Sequence, residues 1–299
     1  MNCIAASQRS GQAGPPQGLH RRVLLQFRRI LQLRLGLMGL SIILCMAAGA
    51  PWLATHDPFA LADELIAPPG REHWMGTDGL GRDIFSMLLY GARTSLLIGL
   101  VAASVSAVIG TVVGGLAGYY GGRIDIVLSE LNNLVLMLPT FFLVLIVVAM
   151  FGGSMVHLML VIGLTSWASN ARIMRAQTLS LRERTFVLSL IAIGKSRAAI
   201  LFRHILPNAI APVLVNTTTN ISVAIVMESS LSFLGLGDAG AISWGRMVYS
   251  GQAYLTTGWW ISIAPGLMIM LTVLSFYLIG DGLQRLLNPR QESGPWGER

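Results

Sequence analysis

The stretch HWMGTDGLGRDIFSMLLYGARTSLLIG, His73 to Gly99, places two carboxylates, Asp78 and Asp83, among Gly76, Gly79 and Gly81. Acidic groups set between glycine turns suit three uses: a phosphate cradle, a cation loop or a shaped turn outside a helix. A calcium hand needs a regular ladder of oxygen ligands closed by a Glu, which this spacing lacks. Gly194-Lys195-Ser196 resembles the end of a phosphate-binding loop, yet the first glycine of that motif would fall on Ser189 and no strand precedes it. The five histidines, His20, His56, His73, His157 and His204, make no HxxxH or HExxH pair, so no metal site is expected. No serine stands in a recognisable nucleophile turn, so no catalytic residue is expected and an intramembrane hydrolase is only an alternative class.

The elements that must carry this stretch follow from composition. Of 299 residues 54% are apolar and 12% charged, against roughly a quarter charged in soluble domains. The expected class is an all-α polytopic membrane protein. Cys3 and Cys45 are too few and too badly placed for a disulfide framework. Apolar runs at 35–53, 94–118, 127–151, 156–171, 210–231 and 259–280 predict six transmembrane helices. Ala48-Gly49-Ala50 imitates a signal-peptidase site, but the long tail and Pro51 favour an uncleaved span. Glycines within these runs, Gly110, Gly114 and Gly118 among them, let helices approach closely.

With the amino terminus inside, seventeen of the 21 Lys and Arg residues fall on cytoplasmic segments, and Arg71, Arg82, Arg93 and Arg246 fall outside. Both termini are therefore expected in the cytoplasm. That distribution accounts for the net charge of +7 without nucleic acid. The glycine stretch then faces the periplasm or exterior, and 172–208 is the one long cytoplasmic interruption. Its sequence reads as two short helices broken at Gly194, the second stopped by Pro207. Phe186, Val187, Leu190 and Ile193 make an apolar face that fits either the lipid interface or a groove on a soluble partner. On the fifth span Asn216, Thr219, Asn220 and Val223 share a face, with Met227 and Glu228 beyond them near the outer interface. Polar groups there serve a translocation path or hydrogen bonds between helices.

Gly194 followed by Ile205-Leu206-Pro207-Asn208 resembles the cytoplasmic coupling loop of bacterial ABC importer permeases. GTDGLGRDIFSMLLYGARTSL, GYYGGRID, SLSFLGLG, SWG and GDGLQRLLNPR, in that order, resemble the C-type permease of the dipeptide, oligopeptide and nickel importers. The resemblance implies the type I (MetI-like) fold: a basic tail at 1–34, a first helix and external loop at 35–91, a permease core at 92–290 and a tail at 291–299. It implies a non-enzymatic subunit of the bacterial inner membrane that forms half of a path for peptides. Its partners would be a homologous second permease, two cytoplasmic ATPases and an extracytoplasmic binding protein; ATP and Mg would be bound by the ATPases, with no cofactor in this chain. Nickel or a metal chelate is the alternative cargo, and an ion-driven or enzymatic membrane protein the alternative class. Coupling falls to Phe186, Val187, Leu188, Ser189, Leu190, Ala192, Gly194, Leu206 and Pro207. Loop shape falls to Gly76, Thr77, Asp78, Gly81, Arg82 and Asp83. The path falls to Asn216, Thr219, Asn220, Met227 and Glu228.

Three departures from the family's pattern carry expectations. Leu188-Ser189-Leu190 replaces Glu-Ala-Ala, so docking should rest on burial. Glu130-Leu131-Asn132-Asn133 replaces an Arg-x-x-Asp pair, which leaves a salt bridge in question. Asp238 to Ile242 replaces a proline-rich segment, so that loop should be looser.

Overall fold

A computed structural model describes residues 30–287. The basic tail up to Arg29, the end of GDGLQRLLNPR and the tail at 291–299 lie outside the described residues. Helix and loop make up the rest; among the described residues the sole β feature is a bridge between Thr77 and Asp83. The order is α1 Leu31–Leu53, α2 Ile84–Tyr120, α3 Gly122–Met137, α4 Thr140–Phe151, α5 Met155–Arg182, α6 Thr185–Ala192, α7 Arg197–Ile200, a π turn Leu201–Ile205, α8 Leu206–Phe233, α9 Trp244–Gly251, a 3-10 turn Gln252–Tyr254 and α10 Trp260–Leu287.

Four helical runs are long and apolar enough to cross a bilayer: α1, α2, Arg197–Phe233 and α10. A fifth appears if α3 and α4, bent by 80° at their junction, count as one span. Pro139 explains the bend. It lacks an N–H to continue the ladder and forces Leu138 out of the helical region, to ψ 130°. The sixth expected span corresponds to α5, which is 28 residues long but carries Ser166, Ser169, Asn170, Arg172 and Arg175 from near its middle onward. Among the described residues, four to five of the six expected spans qualify by length and apolarity alone.

Two boundaries shift for physical reasons. α2 begins ten residues before the apolar run does, because Asp83 caps it: one carboxylate oxygen accepts the Ser86 backbone N–H at 2.8 Å. α5 does not end near Ala171 but continues to Arg182, so the non-spanning interruption is shorter than 172–208. Pro207 does not stop a helix either. It sits in the first turn of α8, where a missing N–H is tolerated, and the π turn before it absorbs the misfit.

α2 is the spine of the bundle, packing on α5, α8 and α1, while α10 packs on α1 and α8. Its pairing with α5 depends on small residues: Gly110, Gly114 and Gly118 lie directly against the backbone of α5 at Trp167, Ala171 and Arg175. A Cβ on Gly114 would meet the Ala171 carbonyl group. Trp244, fully buried, locks α9 onto α2; its indole N–H donates to the Leu88 carbonyl at 3.1 Å and its backbone N–H to Ser95 Oγ at 3.2 Å.

Candidate functional site

Three regions gather the residues singled out by sequence. The first is the loop at 54–83, beside the start of α2. Here Asp78 is buried and saturated: it accepts the backbone N–H groups of Leu80 and Arg82, both at 2.9 Å, and pairs with the Arg82 guanidinium at 2.6 Å. Thr77, also buried, donates to the Glu64 carbonyl and accepts the Ala67 N–H. Gly76 and Gly81 supply φ of +78° and +81° where the chain reverses. Asp83 turns away from Arg82 to His73 Nδ1, 2.9 Å distant, and to Thr55. Burial pushes the Asp83 carboxyl up, but hydrogen bonds from Ser86, His73 and Thr55 outweigh it and hold the group below the ordinary aspartate value. The stretch is thus a shaped turn in which Asp78 is spent on holding the loop, while Asp83 caps α2 through one oxygen and turns the other to His73.

The second region lies at the same end of the bundle, since Tyr254 and Trp260 approach Gly79 and Gly76. Glu228 does not reach water; it is 1% exposed. One of its oxygens accepts from Ser232 and Ser243, each at 2.7 Å, and the other from Ser229 at 3.4 Å. Ser243 in turn caps α9 by accepting the Arg246 N–H. Glu228 therefore ties α9 to the end of α8. Asp238, in the segment expected to be loose, instead accepts the Met155 N–H at 2.9 Å and pins that loop to α5. Replacing Glu228 by Ala is expected to cost about 1–3 kcal/mol, because three buried hydroxyls lose their acceptor, while Glu228→Gln retains most of the stability. Thermal unfolding of the purified chain in detergent measures both; an Ala variant as stable as wild type would show that the cluster does not hold α9.

The third region is the segment around α6, at the opposite end of α2. Val187 is fully buried and Leu190 partly so, packed with Ile200, Leu201, Ile205 and Leu206 against Leu116, Tyr119 and Tyr120. The expected face of Phe186, Val187, Leu190 and Ile193 is therefore split. Phe186, Leu188, Ile191 and Ile193 remain open to the surroundings, Phe186 at 39% and Ile193 at 76% exposure; Ser189, Ala192 and Pro207 are also exposed. Gly194 makes the turn between α6 and α7 with φ +76°. Asp125, from GYYGGRID, holds Arg175 of α5 through two parallel contacts of 2.6 and 2.7 Å. That bridge stands close to where the absent Arg-x-x-Asp pair left one in question.

The path residues divide. Asn216 donates to Ser169 and Asn170 on α5, at 3.2 and 2.9 Å, and so joins helices. Asn220 and Met227 line a small cavity with Thr165, Ser166 and Ser169, and the Asn220 amide nitrogen has no partner among the described residues. Thr219, Val223 and Met227 line a larger cleft between α8 and α10, opposite Met270, Val273 and Tyr277, with an empty volume of about 1500 Å³ including open solvent. Glu228 lines neither. Sequence reasoning missed two groupings, Asp125 with Arg175 and His73 with His56 at Asp83. Both join residues 10 to 50 positions apart with no helical or motif spacing to flag them.

Residues 95–293 match the family described as binding-protein-dependent transport system inner membrane component. The chain is 37% identical over 273 residues to the dipeptide transport system permease protein DppC of Alkalihalophilus pseudofirmus, covering 89% of this chain and 90% of that protein. It is 38% identical over 251 residues to the probable D,D-dipeptide transport system permease protein DdpC of Escherichia coli, covering 83% and 84%. With the oligopeptide transport system permease protein OppC of Bacillus subtilis the identity is 34%, covering 91% and 90%. Among solved structures, an inward-facing conformation of the MetNI methionine ABC transporter matches with a TM-score of 0.53 at 18% identity, over 68% of this chain and 95% of that one.

Proposed function

This chain belongs to the binding-protein-dependent transport system inner membrane components, permease subunits of ABC importers and not enzymes, and from that premise we propose that it forms half of a path for di- or oligopeptides. The observation that carries the reading is the cleft between α8 and α10. Its wall is apolar, relieved by the hydroxyls of Thr219, Ser222 and Tyr277, and it holds no His, Cys, Asp or Glu. Such a wall suits cargo with varied side chains. A nickel ion is held best by imidazole nitrogen, thiolate or carboxylate, and the sulfurs on this wall are the weaker, neutral thioethers of Met227 and Met270. Relatives named for dipeptides and oligopeptides support the same cargo.

The cleft is open on one side, and a homologous second permease closes it. Two ATP-binding subunits, which hold ATP and Mg²⁺, dock on the exposed face of α6. The 54–83 loop and the 234–243 segment face the solute-binding protein outside the inner membrane, with both termini in the cytoplasm. Uptake of labelled di- and oligopeptides into proteoliposomes holding all four membrane-associated subunits, supplied with binding protein and ATP, is expected; nickel uptake without peptide, or activity of this chain alone, would overturn the assignment. Topology has a separate test. In a chain lacking Cys3 and Cys45, Leu80→Cys and Gly240→Cys should react with an impermeant thiol reagent from outside, and Ile193→Cys should not; the reverse pattern would invert the chain.

A further inference from the structure

His56, His73 and Asp83 come together from three separate segments: the residues just after α1, the middle of the 54–83 loop and the cap of α2. Their ligand-capable atoms all lie within 4.8 Å of one another. Asp83 Oδ1 is 2.9 Å from His73 Nδ1 and 3.9 Å from His56 Nδ1. The two imidazoles face each other with ring centroids 4.6 Å apart. We propose that this trio binds one divalent transition-metal ion of the zinc class, stapling the three segments together.

The geometry is close to what such an ion needs. Zinc holds nitrogen and oxygen ligands at about 2.0–2.2 Å, so tetrahedral neighbours stand about 3.4 Å apart. The two separations to Asp83 Oδ1 bracket that value, and with all three ligand atoms within 4.8 Å of one another, side-chain shifts of about half to one and a half ångströms reach it. Two imidazoles with one carboxylate suit zinc and the late first-row ions, while calcium and magnesium prefer oxygen alone. The helix cap also fixes the carboxylate: its other oxygen accepts from the Ser86 N–H at 2.8 Å and from Thr55 Oγ1 at 3.1 Å, which leaves Oδ1 towards the histidines. Asp83 is 1% exposed and His56 42%, so the site has a buried floor and an open door. The door gives onto a surface cleft lined by Thr55, His56, Asp57, Phe59 and Tyr90. A fourth ligand position is left to water. The nearby Arg82 guanidinium is engaged by Asp78 rather than by Asp83.

The consequence is mechanical. With metal bound, the loop becomes a closed strap anchored at both the end of α1 and the start of α2, shortening the free segments whose ordering costs entropy. This inference does not depend on the cargo assigned above.

The test uses the full-length chain in detergent, freed of metal with EDTA and titrated with zinc against a chromophoric chelator. One zinc per chain is expected, with a dissociation constant of about 1 µM or tighter and an increase in melting temperature. His56→Asn and His73→Gln should each weaken binding at least about tenfold and cancel the increase. The His56 variant is the cleaner one, because among the described residues its half-exposed ring hydrogen-bonds at Thr55 alone and the metal-free fold should melt as wild type does. Absence of stoichiometric zinc, retention of wild-type affinity in both variants, or equal stabilisation by calcium would each overturn the proposal.

Discussion

Gly114→Leu is expected to prevent the chain from folding, or to lower its stability by about 3 kcal/mol or more. A Cβ at that position meets backbone, not a side chain that can swing aside: the Ala171 carbonyl, with its carbon at 2.9 Å, and Met174 Cβ at the same distance. Relief requires α2 and α5 to move apart along the most extensive helix contact in the bundle. Lipid supplies no hydrophobic drive to restore the lost van der Waals contact. Gly266→Ala makes the opposite case on α10, since nothing lies within 4 Å of its added Cβ; removing a helix glycine there should add up to about 1 kcal/mol. Yield of monodisperse protein and thermal unfolding in detergent measure both. A Gly114→Leu chain that folds normally would show that the α2 and α5 backbones need not touch.

Long-range order was legible where one kind of residue dominates a window. Apolar runs located the spans, and the distribution of basic residues supplied an orientation to test. The glycines of α2 were legible as packing residues because small side chains have few other uses inside a span. What failed to show in the sequence depended on partners far along the chain. Nothing in the local pattern separates Val187, which is buried, from Phe186 and Ile193, which share its expected face and are exposed; their fates are settled by Ile200, Ile205 and Leu116 lying on one side of α6. Glu228 read as a group near water, because charge in a span usually seeks it. Ser232 and Ser243 satisfy it instead, and Ser243 lies 15 residues away beyond a loop. Pro207 read as a stop because a proline ends most helices, but position within the helix decides, and it occupies a first turn. His56 and His73 were set aside for lack of a motif, and their meeting at Asp83 is a product of the loop's own fold.

The split face of α6 sharpens the expected effect of Phe186→Ala. In place of Glu-Ala-Ala this helix presents Leu188-Ser189-Leu190, and its exposed side offers Phe186, Leu188, Ile191 and Ile193. Attachment of the ATPases should therefore draw on burial of apolar side chains. Truncating one aromatic anchor at an interface costs on the order of 2–4 kcal/mol, a loss of roughly 30- to 1000-fold in affinity. Arg184 is exposed, and an exposed charge is worth about 1 kcal/mol or less. Val187→Ala provides the internal contrast: fully buried within this chain, it should lower the stability of the permease itself and leave the docking surface in place. Gly194→Val should uncouple with less loss of binding, since φ of +76° is strained for a β-branched residue and the turn would re-aim α6. The measurements are co-purification of the ATPases and peptide-stimulated ATP hydrolysis, each at two salt concentrations. Phe186→Ala is expected to release the ATPases at both, while wild type stays assembled, because apolar contact is not screened by salt. Should Arg184→Ala prove worse than Phe186→Ala, and the wild-type complex fall apart as salt rises, then docking is electrostatic and the exposed apolar face of α6 serves the lipid interface instead.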